Sequence, residues 1–223
     1  HPGVYFLLNS NNKFYLGGEI QKIKMPNHYD FEQYRMSPND VRKKFEKMGW
    51  NKIIGFQTRN PLHRAHVEMT FISMNEVGAK LLLHPAVGLT KDGDIDHYTR
   101  VRCYEHVIKK YPKDSAFLAL LPLAMRMGGP REALLHAIIR KNFGCSHFII
   151  GRDHAGPGLD SKGDPFYSPY ESQELVKKFE SEIDIQIIPF QFMVYVPKYK
   201  KYQILERLDR GVEHKKISGT ELR

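Results

Sequence analysis

From residue 50 onward, short apolar runs alternate with longer stretches in which hydrophobic positions recur at helical spacing. The apolar runs predict strands at residues 52–56, 79–85, 116–121, 147–150 and 183–188. The stretches between them predict helices at residues 61–77, 97–111, 130–143 and 169–179. Strands that are apolar throughout are typical of a parallel sheet covered on both faces. We therefore predict an α/β domain with a parallel five-stranded sheet.

The first residues of the chain follow a different pattern. Apolar runs at 4–8 and 13–20 flank an Asn-rich stretch at 9–12, which is typical of a β-hairpin. We interpret residues 1–27 as the C-terminal end of a truncated β-rich domain.

The remaining boundaries follow from the order of the predicted elements. We assign residues 28–49 to a helical connection, 50–197 to the α/β domain and 198–223 to the start of a truncated C-terminal subdomain. A capping-box pattern at 218–221 predicts that a helix begins close to the end of the chain.

Loops with unusual residues follow the predicted strands. In an open parallel sheet the carboxyl ends of the strands meet at one edge, and ligands bind there. The loops in question are 57–66, 88–96, 123–131 and 151–158. Three of them are rich in glycine, which lets the backbone approach a ligand closely, and basic side chains accompany the glycines. This distribution predicts an anion site at the carboxyl edge.

The first of these loops, Q-T-R-N-P-L-H-R-A-H, joins the first strand to the first helix. We predict that Asn60 caps the helix and that Pro61 occupies its first turn, where a missing N–H costs nothing. His63 and His66 would then project from one face beside Arg59, and together with the helix N-terminus they favour a phosphate site. A pair of surface histidines is the plainer alternative. A zinc site is disfavoured, because zincins place two His at i and i+4 with a Glu between them.

The charge balance narrows the class of ligand. The 223 residues carry 34 Lys and Arg against 25 Asp and Glu, a net charge of +9. Such a charge suits nucleic acid or a polyanionic small molecule. The basic residues are scattered and follow no RNA-binding motif, so we expect small-molecule ligands and no nucleic acid. The sequence contains no apolar run of transmembrane length, and we expect a cytoplasmic protein that does not bind membranes, with an organelle as the alternative compartment.

Five segments together resemble the ATP sulfurylase (sulfate adenylyltransferase) family, and the likeness covers essentially the whole chain. They are Q-T-R-N-P-L-H-R-A-H (57–66), K-D-G-D-I-D-H-Y-T-R-V-R (91–102), L-A-M-R-M-G-G-P-R-E-A (123–133), G-R-D-H-A-G-P-G (151–158) and S-G-T-E-L-R (218–223). The Thr in Q-T-R-N-P is similar to the fungal and bacterial type. The resemblance implies a Rossmann-like nucleotidyltransferase fold and a PUA-like identity for the β-rich N-terminal domain.

The resemblance also implies the reaction. Sulfate would attack the α-phosphate of ATP in line and give adenosine 5′-phosphosulfate and pyrophosphate, the first step of sulfate activation and assimilation. Mg²⁺ would be bound through the ATP phosphates, with no metal site on the protein itself. The working form would be a homo-oligomer, a dimer or larger.

Roles for individual residues follow by likeness to the family's motifs. Gln57, Arg59 and the backbone N–H of Ala155 would bind sulfate. The catalytic residues would be Thr58, Arg59, Asn60, His63 and His66, with the two histidines stabilising the transition state. Phe190 would couple the ATP and sulfate sites. ATP would be bound by Gln57, Thr58, Arg59, Asn60, Gly151, Arg152, Asp153, His154 and Met193.

Three other functions stay open at this stage. An adenylyltransferase for a different acceptor would need an acceptor pocket not fitted to a small oxyanion. A protein that binds nucleotide without turnover would have lost catalytic positions, whereas Gln57 to Asn60 are intact. An RNA-binding module would show an affinity for polyanions that falls steeply with salt.

Overall fold

A computed structural model of the chain describes residues 1–10, 14, 16–21, 27–88 and 93–216. The strands are β1 (Ile53–Phe56), β2 (Lys80–Leu83), β3 (Ala116–Leu118), β4 (His147–Ile150), β5 (Gln186–Pro189), β6 (Met193–Val196) and β7 (Lys201–Ile204). The α-helices are α1 (Pro2–Ser10), α2 (Pro38–Lys47), α3 (Arg64–Val77), α4 (His97–Val107), α5 (Pro130–Asn142), α6 (Glu171–Lys178) and α7 (Glu180–Ile183). Short 3-10 helices lie at Glu32–Tyr34, Ile108–Lys110, Pro197–Tyr199 and Leu205–Arg207.

The central sheet has five strands in the order β3-β2-β1-β4-β5, and all of its strand pairs are parallel. The α/β class and the parallel five-stranded sheet predicted from the sequence are therefore confirmed. The chain leaves β1 toward β2 and β3, then returns to pair β4 with the other side of β1. The carboxyl end of β1 is thus the point where the direction of winding reverses, which is where doubly wound folds form their ligand crevice.

The core lies on both faces of this sheet, which explains why its strands are mostly apolar. Successive side chains of a strand point to opposite faces. Leu81 and Leu83 belong to one buried cluster, and Leu82 between them belongs to the other. All three are fully buried. Helices must therefore cover both faces, and they hold the strand ends at fixed positions.

The predicted β-hairpin at the start of the chain is wrong for its first strand. Residues 4–8 lie within α1, where the Tyr5 N–H donates to the His1 carbonyl at 3.0 Å. Asn9 Nδ2 donates to the Tyr5 carbonyl at 2.8 Å. The segment satisfies backbone groups within itself, and Pro2 suits the first turn of a helix. Residues 11 and 12 of the predicted turn lie outside the described part, and the assignment of residues 1–27 to a larger β-rich domain stays a prediction.

Other element boundaries differ from the predictions at their ends. The last strand of the sheet begins at Gln186, because the preceding residues form α7 and Asp184 then adopts a left-handed conformation with φ 51°. The antiparallel pair of β6 and β7 was not predicted. The capping box predicted at 218–221 lies outside the described residues. No helix in the described ranges is both long and apolar enough to cross a membrane.

Candidate functional site

A cleft of about 260 Å³ opens at the carboxyl edge of the sheet. It lies between the loops that follow β1 and β4, at the point where the winding reverses. The cleft is lined by Phe56, Gln57, Thr58, His63, Ala65, His66, Met69, Ile149, Gly151, Arg152, His154, Gln191, Phe192 and Met193.

The turn after β1 is held rigidly by side chains. Thr58 Oγ1 accepts from the Asn60 N–H at 3.1 Å and donates to the Asn60 carbonyl at 2.9 Å. From α4, the Tyr104 hydroxyl donates to that same carbonyl at 2.8 Å. Arg100 Nη1 donates to the carbonyl of Arg59 at 2.9 Å. The turn therefore has a fixed backbone before any ligand arrives.

These contacts explain why the predicted cap of α3 is wrong. Asn60 does not cap the helix, which begins four residues later at Arg64, with His63 at the N-cap position. The backbone N–H and carbonyl of Asn60 are committed to the turn with Thr58 and Tyr104, so the chain cannot enter a helix there. His63 has an extended backbone and makes no side-chain cap. His63 at the N-cap and His66 in the first turn therefore both lie at the N-terminus of α3.

His63 and His66 lie together at this helix N-terminus. Their ring centroids are 3.8 Å apart, and the Nδ1 atom of each is buried without a hydrogen-bond partner among the described residues. Burial lowers the pKa of His63, and burial together with the neighbouring His63 lowers the pKa of His66 to about 3. Both imidazoles are therefore neutral near pH 7. A helix N-terminus with buried, unused imidazole nitrogens is suited to an oxyanion ligand.

Arg59 points to a different neighbour. Its Nη1 donates to both carboxylate oxygens of Asp94, which lies in the loop before α4. The Asp94 side chain is 4% exposed and that of Arg59 is 20% exposed. Arg59 is thus tied to the loop that follows β2, part of which, residues 89–92, lies outside the described ranges.

The loop after β4 contributes the second wall of the cleft. Asp153 and Ala155 have φ angles of 51° and 57°, an uncommon conformation for residues with a side chain. The Asp153 N–H donates to the Pro169 carbonyl at 2.8 Å, which fixes the loop against the segment before α6. Arg152 lies over the Phe192 ring at 5.5 Å. A neighbouring cavity of about 340 Å³ shares Arg152 and His154 with the cleft.

Most of the predicted site residues meet in this cleft, and some do not. The predicted residues that line it are Gln57, Thr58, His63, His66, Gly151, Arg152, His154 and Met193. Asp153 lines the neighbouring cavity. Ala155 and Phe190 are buried and do not line the cleft, and Asn60 and Arg59 belong to its supporting turn.

Several residues near the cleft were missed from the sequence. Gln191 and Phe192 line it directly, and His136 Nδ1 lies 3.1 Å from Gln57 Nε2. The spacing of Glu132 and His136, one helical turn apart on the predicted α5, was a sequence pattern that could have identified the latter. Within the described ranges, no group of three or more His, Cys, Asp or Glu side chains comes close enough to hold a metal ion.

Comparison with known proteins places the chain in a family. A family model described as ATP-sulfurylase matches residues 32–223. The chain is 54% identical over 223 residues to a sulfate adenylyltransferase of Yarrowia lipolytica, covering 100% of this chain and 39% of that protein. It is 54% identical to the Schizosaccharomyces pombe enzyme of the same name, covering 100% of this chain and 46% of that protein. For the Saccharomyces cerevisiae sulfate adenylyltransferase the identity is 52%, with 100% of this chain and 44% of that protein covered.

A solved structure shares the fold. It is described as a hexameric APS kinase from Thiobacillus denitrificans and superposes with a TM-score of 0.71 at 30% identity, covering 88% of this chain and 36% of that one. The chain spans less than half the length of each of these relatives. The family model nevertheless matches most of its residues, and the chain belongs to the ATP-sulfurylase family.

Proposed function

We propose that the protein containing this chain is a sulfate adenylyltransferase, which joins ATP and sulfate to give adenosine 5′-phosphosulfate and pyrophosphate. One observation carries the proposal: the loops that follow two separate strands bring neutral imidazoles, a helix N-terminus and the residues Gly151, Arg152 and His154 into one cleft. Relatives that are more than half identical to the chain bear the same name.

The chemistry of sulfate explains which groups the site needs. Sulfate is a weak nucleophile with no proton to remove, so a general base would contribute nothing. The rate must come from alignment of a sulfate oxygen with the α-phosphorus and from stabilisation of charge on the phosphoryl oxygens. Two anions have to approach each other, so cationic and N–H donors are required between them.

On the sulfate side we propose Gln57, Arg59 and the backbone N–H of Ala155. Arg59 has five N–H donors, so its pair with Asp94 leaves it the capacity to bind an oxyanion. Its planar fork can form paired bonds that a Lys could not reproduce. Thr58 and Asn60 would act with Arg59 as catalytic residues. The hydrogen bonds within their turn support this role, because they fix the backbone from which the Arg59 side chain extends.

On the nucleotide side we propose Gly151, Arg152, Asp153, His154 and Met193, together with the turn from Gln57 to Asn60. The left-handed backbone at Asp153 turns the loop so that it borders both the cleft and its neighbouring cavity. Arg152 can contact phosphate, and Met193 offers an apolar face to the adenine.

His63 and His66 would stabilise charge that develops on the α- and β-phosphates. Their position at the N-terminus of α3 supports this role, because the helix dipole and their unused Nδ1 atoms both favour an oxyanion.

Phe190 would couple the two substrate sites. Its N–H donates to the Ile150 carbonyl and its own carbonyl accepts from Gln173 Nε2, each at 2.9 Å. Gln173 Nε2 also donates to the Ile150 carbonyl at 2.9 Å. The end of β4 is therefore tied to the segment that leads to Met193, so a shift on one side would be transmitted to the other.

Magnesium would enter with the nucleotide. The donors that line the cleft are imidazole, amide, hydroxyl and guanidinium groups rather than the carboxylates that Mg²⁺ prefers. These donors fit an ion held by the ATP phosphates. When bound, Mg²⁺ would neutralise part of the phosphate charge. We also propose that the protein works on small molecules, without nucleic acid or membrane, and as a homo-oligomer of two or more subunits.

The activity can be tested by pyrophosphate release from ATP in the presence of molybdate, which replaces sulfate and yields an unstable product. We expect release that depends on molybdate and is lost in Arg59→Ala. Arg207→Ala is the matched control, because Arg207 pairs with Glu76 on an exposed surface. No release and no ATP binding by the unaltered protein would refute the proposed function.

A further inference from the structure

A buried chain of polar side chains runs from α5 to the cleft. His136 Nδ1 lies 3.1 Å from Gln57 Nε2 and 3.0 Å from His154 Nε2. On the other side of its ring, His136 Nε2 lies 3.4 Å from Glu132 Oε1. The His136 residue has no exposed surface, and Glu132 is 8% exposed. One imidazole therefore contacts residues from the loops after β1 and after β4.

Glu132 is anchored before it meets the histidine. Its two carboxylate oxygens accept from the backbone N–H groups of Arg126, at 2.8 Å, and Gly128, at 2.6 Å. Burial tends to raise the pKa of Glu132, but the contact with His136 and these two donors outweigh it, and the net pKa is lowered. Glu132 is therefore an anion, held at the N-terminus of α5, where the helix dipole also favours it.

The anion determines which nitrogen of His136 carries the proton. Burial lowers the pKa of His136, Glu132 opposes this effect, and the nearby Arg140 adds to it, so the ring is neutral. His136 Nε2 makes no hydrogen bond within the described residues, but the Glu132 carboxylate 3.4 Å away favours the tautomer with the proton on Nε2. Nδ1 is then an acceptor, facing an amide N–H of Gln57 and the Nε2 of His154.

The buried cation Arg140 supports the neutral state of His136 and His154. Arg140 is fully buried and donates to the His84 carbonyl at 3.1 Å. Its stem fills the space over Gly55, where a Cβ would lie 2.6 Å from the Arg140 Cγ. Burial lowers the pKa of His154, and His136 and Arg140 lower it further. His136 and His154 are therefore both neutral, and one ring can donate a hydrogen bond that the other accepts.

We propose that His136 is a positioning residue that orients Gln57 and His154 together, with Glu132 fixing its tautomer. This inference rests on the proposed function, in which Gln57 binds sulfate and His154 holds the nucleotide. The lone pair of His136 Nδ1 sets the direction of the Gln57 amide. Without it the amide can turn, because its Oε1 is buried and has no hydrogen-bond partner in the described structure. Sulfate binding should suffer more than ATP binding, because ATP is held by additional groups.

Two substitutions separate positioning from simple packing. The side-chain oxygen of His136→Asn can replace the Nδ1 acceptor, whereas His136→Gln places its amide near the Nε2 position and keeps only a partner for Glu132. The measurement is the sulfate Kd in the presence of α,β-methylene-ATP, which cannot react, together with the Kd of the ATP analogue and the thermal midpoint. We expect His136→Asn to stay within threefold of the unaltered protein, and His136→Gln to raise the sulfate Kd at least tenfold and the nucleotide Kd less than threefold.

Sulfate affinity equal to that of the unaltered protein in His136→Gln, or equal losses in both variants, would overturn the inference. The tautomer provides a second measurement that needs no substitution, since ¹⁵N spectra of histidine-labelled protein distinguish protonated from unprotonated ring nitrogens. We expect His136 to carry its proton on Nε2, and a proton on Nδ1 would overturn the inference even if the variants failed to fold. Failure of the unaltered protein to bind sulfate and nucleotide would count against the proposed function instead.

Discussion

The imidazole rings of His63 and His66 lie almost in contact, with centroids 3.8 Å apart and planes tilted by 31°. The His66 N–H donates to the His63 carbonyl at 3.0 Å in the first turn of α3, so the backbone fixes this pairing. Because the buried Nδ1 atoms have no partner in the described part of the chain, the pair has unused hydrogen-bonding capacity at the positive end of a helix.

We predict that His63→Ala and His66→Ala each lower kcat by about a hundredfold while the ATP Kd changes only a few-fold. The helix N-terminus already favours phosphate in the ground state. The imidazoles would act mainly on charge that builds up as the bond to pyrophosphate breaks. Steady-state kinetics combined with calorimetric ATP binding would test this split.

Replacement of either histidine by Asn is the matched control, because Asn retains a donor and should recover part of the lost rate. A parallel fall in ATP affinity and kcat/KM at constant kcat would show that the histidines only bind the nucleotide.

Arg59→Lys should lose about a hundredfold or more in kcat/KM for sulfate, corresponding to roughly 3 kcal/mol of transition-state stabilisation. Lys keeps the charge but cannot contact Asp94 and an oxyanion through one planar group. The comparison with Arg207→Lys, at an exposed ion pair, should show no change. Near-normal sulfate turnover in Arg59→Lys would remove Arg59 from the site.

The sheet could be predicted because its signal is local. Leu81, Leu82 and Leu83 are all buried, and a run of such residues between helical patterns indicates a parallel strand. The same logic placed the loops after β1 and β4 at one edge, so the meeting of Gln57 with His154 followed from topology alone.

The start of α3 and the contacts of His136 depend on residues that are distant from each other in the sequence. The start of α3 at Arg64 depends on a Tyr104 hydroxyl that reaches Asn60 from another helix, which no local pattern reveals. The spacing of Glu132 and His136 could have drawn attention to His136, but its contacts with Gln57 and His154 could not be predicted, because these two residues lie in loops that follow different strands. At Pro2–Ser10 the local pattern itself was misread. Apolar composition alone does not distinguish a strand from a helix.

The two glycines before α5 should differ sharply in their tolerance to substitution. Gly129 has φ 64°, and a Cβ there would lie 2.4 Å from the Tyr167 ring. Gly128 has no such φ, and its nearest contact would be an ordinary 3.6 Å from the Glu132 Cβ. We predict that Gly129→Ala lowers the free energy of unfolding by about 2 kcal/mol or more and Gly128→Ala by less than about 1 kcal/mol. Urea denaturation of both variants would measure this, and equal losses would contradict it.

The last prediction concerns pH and the stability of the fold. The pKa of His66 is lowered by burial from 6.5 to about 3 in the folded chain. Between these two values the unfolded chain binds a proton that the folded chain does not, so the free energy of unfolding falls as the pH drops below about 6.5. At pH 5 one such histidine lowers the free energy of unfolding by about 2 kcal/mol.

His66→Gln removes this cost. Between pH 7 and pH 5 its free energy of unfolding should therefore fall by about 2 kcal/mol less than that of the unaltered protein. Urea denaturation at several pH values measures the difference. His106→Gln is the matched control substitution, because His106 is exposed to solvent in the folded chain. If His66→Gln lost stability with falling pH as steeply as the unaltered protein, the His66 ring would be free to protonate within the fold, and its neutral role beside His63 would be wrong.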